Sequence, residues 1–192
     1  MQTIKENNSD KYEVKQSKFI TLLYKINNID DVNKYLQEAK NNYKDATHYC
    51  YAYKFDDIQK FSDDGEPGGT AGLPIMEVLN KRNISNVLCI VVRYFGGIKL
   101  GAGGLVRAYT KAVCNVIDKT ELITLVKGYL IKIITNYDNQ KEYDYLFKDK
   151  IIKKEFNDKI TYYIEMDKNE VNKLIQIDYK IVEEKWIEKD IS

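Results

Sequence analysis

Nine of the ten glycines and both prolines of this chain fall between Gly65 and Gly104. Tight turns and close backbone approaches are therefore confined to one stretch, and the segments on either side must be built from regular elements. Charge divides the same region. Asp56, Asp57, Asp63, Asp64, Glu66 and Glu77 come first, and no acid follows until Asp118; Lys81, Arg82, Arg93, Lys99, Arg107 and Lys111 occupy that interval. A chain of 192 residues, 44% hydrophobic, with 30 basic and 29 acidic side chains, has the make-up of a globular protein of one or two domains.

Before the glycine-rich stretch, residues 12–14 and 18–26 read as strands, the second rich in Ile, Leu, Phe and Tyr. Residues 30–43 read as a helix opened by Asp30, with Val32, Tyr35, Leu36 and Ala39 at helical spacing. Residues 48–55 form a further strand. Residues 70–81 read as a short helix and 86–94 as a strand apolar on both faces. The loop FGGIKLGAGG then opens a helix over 103–118 with Leu105, Ala108, Ala112, Val113 and Val116 on its apolar side. Together these make an α+β domain with helices on one sheet, residues 1–120.

The second half reads as strand 129–137, helix 139–148, strands 151–156 and 159–166 turned at Asn157-Asp158, helix 169–177 and strand 180–187. That order, β-α-β-β-α-β, predicts a ferredoxin-like domain over 128–192 after a linker at 121–127. There are 17 basic against 14 acidic side chains through Thr120 and 13 against 15 after it, so a polyanion should prefer the first domain.

The N-terminal segment MQTIKENNSD is polar, which excludes it as a secretory signal or membrane anchor. The longest clean apolar run, 87–92, falls far short of the roughly 20 residues that span a bilayer. A cytoplasmic protein with no membrane partner is expected. Cys50, Cys89 and Cys114 are odd in number and lack a C-x-x-C pair, which argues for buried thiols over disulfides or zinc.

Three groups of residues could carry chemistry. In SDDGEPGGTAGLPIM, from Ser62, the carboxylates Asp63, Asp64 and Glu66 could hold a hard cation, or could cap turns and pair with nearby cations. The spacing is not that of a calcium loop, and no obligate metal or cofactor is expected. In FGGIKLGAGGLVRAYTKA, Gly96, Gly97, Gly101, Gly103 and Gly104 precede a helix bearing Arg107 and Lys111. Helix-terminal N–H groups there suit a phosphate or carboxylate, although the P-loop and dinucleotide fingerprints both fail, and a tight strand-to-helix connection needs the same glycines. Only Arg82, Arg93 and Arg107 stand against 27 lysines. Such guanidinium forks could clamp a ligand anion or pair internally with the acidic loop.

His48 and Cys50 share one face of a strand, the placement a Cys–His nucleophile pair would need. HYCYAY is equally a packing strand of aromatics. The sixteen tyrosines and six phenylalanines suit either a base-stacking platform or a core.

SKFI at 17, HYCYAY at 48, SDDGEPGGTAGLPI at 62 and VVRYFGGIKLGAGGLVRAY at 91 resemble, in order, the signatures of the YigZ/IMPACT family. The resemblance covers most of residues 12 to 117. It implies a first domain with the fold of ribosomal protein S5 domain 2, and, as in the bacterial members, a second ferredoxin-like domain similar to the last domain of elongation factor G. The eukaryotic relatives regulate translation by competing for a scaffold protein that activates a kinase sensing uncharged tRNA; no enzymatic activity is established for the family. This chain shows no RWD domain, so the kinase-pathway role is not carried over.

The first reading is thus a non-enzymatic cytoplasmic factor that binds RNA, the ribosome or a translation-related protein and acts in translation or stress regulation. Arg93, Lys99, Arg107 and Lys111 with the five loop glycines would meet the polyanion, and residues 62–69 would shape one wall. The alternative is a metal- or phosphate-dependent enzyme or small-ligand binder using Asp63, Asp64 and Glu66.

Overall fold

The computed structural model describes residues 1–189. The chain divides into two compact units, Met1–Ile123 and Thr124–Ser192. In the first, strands β1 (Gln2–Ile4), β2 (Asn8–Val14) and β3 (Ser17–Lys25) lead to helix α1 (Asp30–Asn42). Then follow β4 (His48–Phe55), β5 (Ile58–Ser62), helix α2 (Gly72–Lys81), β6 (Val87–Tyr94) and helix α3 (Ala102–Asp118).

The sheet runs in the order β2-β3-β6-β4-β5, and each neighbouring pair is antiparallel. β6 lies at its centre, and seven of its eight residues are buried, which is why VLCIVV is apolar on both faces. Alternation then assigns two cores. Phe19, Leu23, Cys50, Cys89 and Val91 face one side, with Ile75 and Leu79 of α2 and Leu105, Tyr109 and Val113 of α3. Leu22, Ile26, Ile90 and Val92 face the other, with Val32 and Ala39 of α1. α1 begins where Asp31 Oδ2 accepts the N–H of Asn27 and Asn28, at 2.8 and 3.3 Å, and Asn28 Oδ1 accepts the N–H of Asp31.

The second unit continues strand β7 (Leu122–Thr135), whose first two residues belong to the first unit. After a 3-10 turn at Tyr137–Asn139 come α4 (Gln140–Leu146), β8 (Ile151–Phe156), β9 (Ile160–Asp167), α5 (Lys168–Val171) and β10 (Lys180–Lys189). The strands run β10-β7-β9-β8, all antiparallel, over a core of Ile131, Ile133, Phe147, Ile160, Tyr162 and Ile164.

Four differences from the sequence reading have local causes. β1 and β5 are too short, and β5 too exposed, to give a period-two signal. Residues 122–127 are strand where a linker was expected; Ile123 and Leu125 alternate as buried positions with half-exposed neighbours. The helix expected over 169–177 lasts four residues. Asp167 and Glu170 form a reciprocal cap at its start, but Ile175, which the helical spacing would exploit, is 89% exposed. The first helical turn of α2 starts at Gly72, because Thr70 N–H and Oγ1 both bond Pro67 O in a preceding turn.

Candidate functional site

The acidic loop between β5 and α2 is held by its own carboxylates. Asp63 accepts N–H bonds from Gly69 at 2.8 Å, Ala71 at 3.0 Å and Gly72 at 2.8 Å, and so ties the loop to the start of α2. Burial pushes its pKa up, but the three N–H groups outweigh burial and hold the carboxyl below the usual range. Gly72 cannot be replaced cheaply, since a Cβ there would lie 2.7 Å from the backbone of Ser62. Asp64 Oδ2 accepts the N–H of Tyr49 at 2.6 Å, and its carbonyl lies 2.8 Å from His48 Nδ1.

Glu66 turns inward. Its side chain is 3% exposed and pairs at 2.6 Å with Arg93, which is 5% exposed. Tyr109 of α3 donates to the same Glu66 oxygen at 2.7 Å, and His48 Nε2 lies 3.7 Å from the other. Arg93 also reaches Ser17 Oγ at 3.4 Å, and its guanidinium carbon sits 5.4 Å from the Phe19 ring centre and 5.6 Å from that of Phe95. Phe19, Arg93 and His48 are register partners on β3, β6 and β4, so the sheet itself delivers the cation to Glu66. A buried pair of this kind is tolerable only when its remaining groups are satisfied; Arg93 Nε is the one guanidinium nitrogen left with no hydrogen-bond partner among the described residues.

Cys50 completes the cluster as a structural donor. Its thiol donates to Asp63 O at 2.9 Å and contacts Tyr109 Oη at 3.2 Å. Burial pushes its pKa up to about 12, against the lowering effect of Tyr109, so the group stays a thiol and the Cys–His nucleophile reading fails. Tyr109 and Ser17 escaped the sequence reading. Tyr109 lies four residues after Leu105 on the apolar stripe of α3, so helical spacing alone would have placed it inside.

The glycine loop behaves differently. Gly96 is required where the chain packs against the turn that leads into β3: a Cβ would stand 2.0 Å from the Gln16 backbone. Gly97 and Gly101 hold φ of 86° and 72°, the left-handed region glycine favours. Gly101 precedes α3 without a side-chain cap, and no acid occupies the first turn. Gly103 is exposed and Gly104 half-buried. Lys99, Arg107 and Lys111 are all exposed, and among the described residues none has a side-chain partner. Phe95 and Ile98 beside them are 46% and 43% exposed. Of the residues singled out by sequence, the structure therefore joins Asp63, Glu66 and Arg93 in one internal network, sets the exposed Asp64 against Tyr49 and His48, and leaves Lys99, Arg107 and Lys111 around the uncapped start of α3. Arg82 belongs to neither and pairs with Asp118 at 2.5 Å. Among the described residues no three His, Cys, Asp or Glu side chains are placed to hold a metal ion, and no helix is long and apolar enough to cross a membrane.

Comparison with known proteins follows the same boundaries. The Impact N-terminal domain matches residues 15–117. The IMPACT family member YvyE of Bacillus subtilis is 42% identical over 135 residues, 69% of this chain and 61% of that protein. YigZ of Escherichia coli is 39% identical over 139 residues, 70% of this chain and 65% of that one. The matched part thus spans somewhat less than two thirds of these relatives. The crystal structure of a hypothetical protein aligns with a TM-score of 0.64 at 26% identity, over 94% of this chain and 95% of that chain. With the domain match running from the turn before β3 to the end of α3, the chain belongs to the IMPACT family.

Proposed function

We propose that this protein is a non-enzymatic cytoplasmic factor that binds RNA of the translation machinery through the glycine loop and the first turns of α3. The observation that carries the reading is the exposure of Lys99, Arg107 and Lys111, without partners among the described residues, around a helix start with neither cap nor acid. Phosphate is favoured there by the helix dipole, by unpaired N–H groups and by exposed cations. Family membership supports a translation-related role, given the resemblance to eukaryotic regulators of translation. On this reading the first unit has the fold of ribosomal protein S5 domain 2. The second is ferredoxin-like and similar to the last domain of elongation factor G, which the strand order β10-β7-β9-β8 supports.

Arg93 leaves the proposed contact surface, because it is committed to Glu66. The acidic loop likewise offers little to a metal- or phosphate-dependent reaction: Asp63, Asp64 and Glu66 each already accept from a protein donor. Titration with labelled ribosomal RNA fragments at several salt concentrations tests the assignment. Binding should weaken steeply with salt, and replacing Lys99, Arg107 and Lys111 by Ala should lower the log–log slope by about 2, at roughly 0.7 for each phosphate no longer neutralised. An unchanged slope and affinity in that variant refutes it.

A further inference from the structure

β5 ends the first sheet and, among the described residues, pairs only with β4. All but the last of its five residues are exposed, with Ile58 at 45% and Phe61 at 47%. The hairpin turns through Asp56 and Asp57, with Phe55 and Ile58 as the closing pair. In a two-residue hairpin that pair exchanges the hydrogen bonds, which leaves the N–H and C=O of Gln59 and Phe61 facing away from β4. α2 runs alongside this edge. Its first residue, Gly72, is in close contact with Ser62, and Asn80 Nδ2 donates to Gln59 Oε1 at 3.4 Å. Leu73, Glu77 and Asn80, all exposed, share one helix face at i, i+4 and i+7. The unpaired strand edge and this exposed helix stripe thus lie beside each other, joined at Gly72–Ser62 and at Asn80–Gln59.

We infer that this edge takes up an extended, basic peptide segment of a partner protein as an added strand. The backbone of Gln59 and Phe61 supplies the ladder, Phe61 and Leu73 receive alternate apolar side chains, and Asp56, Asp57 and Glu77 meet Lys or Arg of the peptide. Those three carboxylates are exposed and have no side-chain partner among the described residues. A second copy of this chain fits poorly. Pairing two β5 strands antiparallel about Lys60 sets Asp56 and Asp57 of one copy beside Asp63 and Asp64 of the other, and parallel pairing sets each acid beside itself. The surface is separate from the α3 cations, so either assignment can fail alone.

Selection of a displayed library of random twelve-residue peptides on the full chain provides the probe, followed by fluorescence polarisation with the enriched peptides. Enriched sequences should alternate apolar residues and carry Lys or Arg, and their addition should slow amide exchange at Gln59 and Phe61. The double variant Phe61→Lys, Glu77→Lys alters only exposed positions and should melt like the wild type while losing at least tenfold in peptide affinity; Lys99→Ala, Arg107→Ala should bind the peptides unchanged. Failure to enrich any peptide, equal binding by the Phe61/Glu77 variant, or unaltered exchange at Gln59 and Phe61 overturns the inference.

Discussion

Two loops carry nearly all the glycine of this protein, and they use it in opposite ways. Between β5 and α2 the chain closes on itself: Asp63 gathers three backbone N–H groups, and Glu66 is sunk against Arg93 and Tyr109. Between β6 and α3 the chain stays open, with Lys99, Arg107 and Lys111 exposed around an uncapped helix start. Loops alike in glycine thus yield one whose charges are spent on folding and one whose charges stay exposed. Burial and partners, not charge counts, separate the two.

The comparison breaks first, if it breaks, at Glu66. Replacing it by Ala strands the Arg93 guanidinium in a buried site and should cost about 3–5 kcal/mol; urea unfolding of the variant measures this. Exchanging both partners, as Glu66→Leu with Arg93→Met, should recover much of that loss, because no charge is then left buried. A smaller effect is expected at Tyr109, where Phe removes the hydroxyl shared by Glu66 and Cys50. The loss should be about 1–3 kcal/mol, as for other buried polar groups deprived of a donor, and is read by the same unfolding curves.

Acid sharpens the contrast further. Because the folded-state pKa of Asp63 lies below its unfolded value, the ionised carboxylate stabilises the fold at and above the ordinary aspartate range. That contribution disappears as pH falls through the depressed value. Asp63→Asn should therefore be less stable than wild type near neutrality, with the gap narrowing in acid, which melting curves between pH 7 and pH 3 follow. The smallest effect belongs to the open loop. Arg107→Ala and Lys111→Ala should each leave stability within about 0.5 kcal/mol, as surface changes without partners do; a larger loss in urea would mean that these cations also serve the fold.

The elements that carry this division were legible in the residues, but which charges meet was left open, because it depends on register. The apolar run of β6 and the stripe of α3 announced themselves by periodicity. Alternation along β6 even puts Arg93 on the face of Cys89 and Val91, which are fully buried. What no local pattern carries is that Glu66, from another loop, meets Arg93 there, since that contact follows from pairing β3, β6 and β4 across the sheet. β5 escaped for a different reason. An exposed edge strand has no face to bury, so its sequence IQKFS shows no alternation to read. In the second unit the helix expected over 169–177 exists only as the four residues Lys168–Val171, set by the reciprocal cap of Asp167 and Glu170.

The most direct measurement sets two variants side by side in one RNA titration over a salt series: Glu66→Leu with Arg93→Met, and Lys99→Ala with Arg107→Ala. If the Glu66–Arg93 pair is internal and the α3 cations face a ligand, the first variant keeps wild-type affinity and salt slope. The second melts like the wild type and loses most of its salt-sensitive binding. RNA binding that is lost with Arg93 and kept without Lys99 and Arg107 would contradict the account.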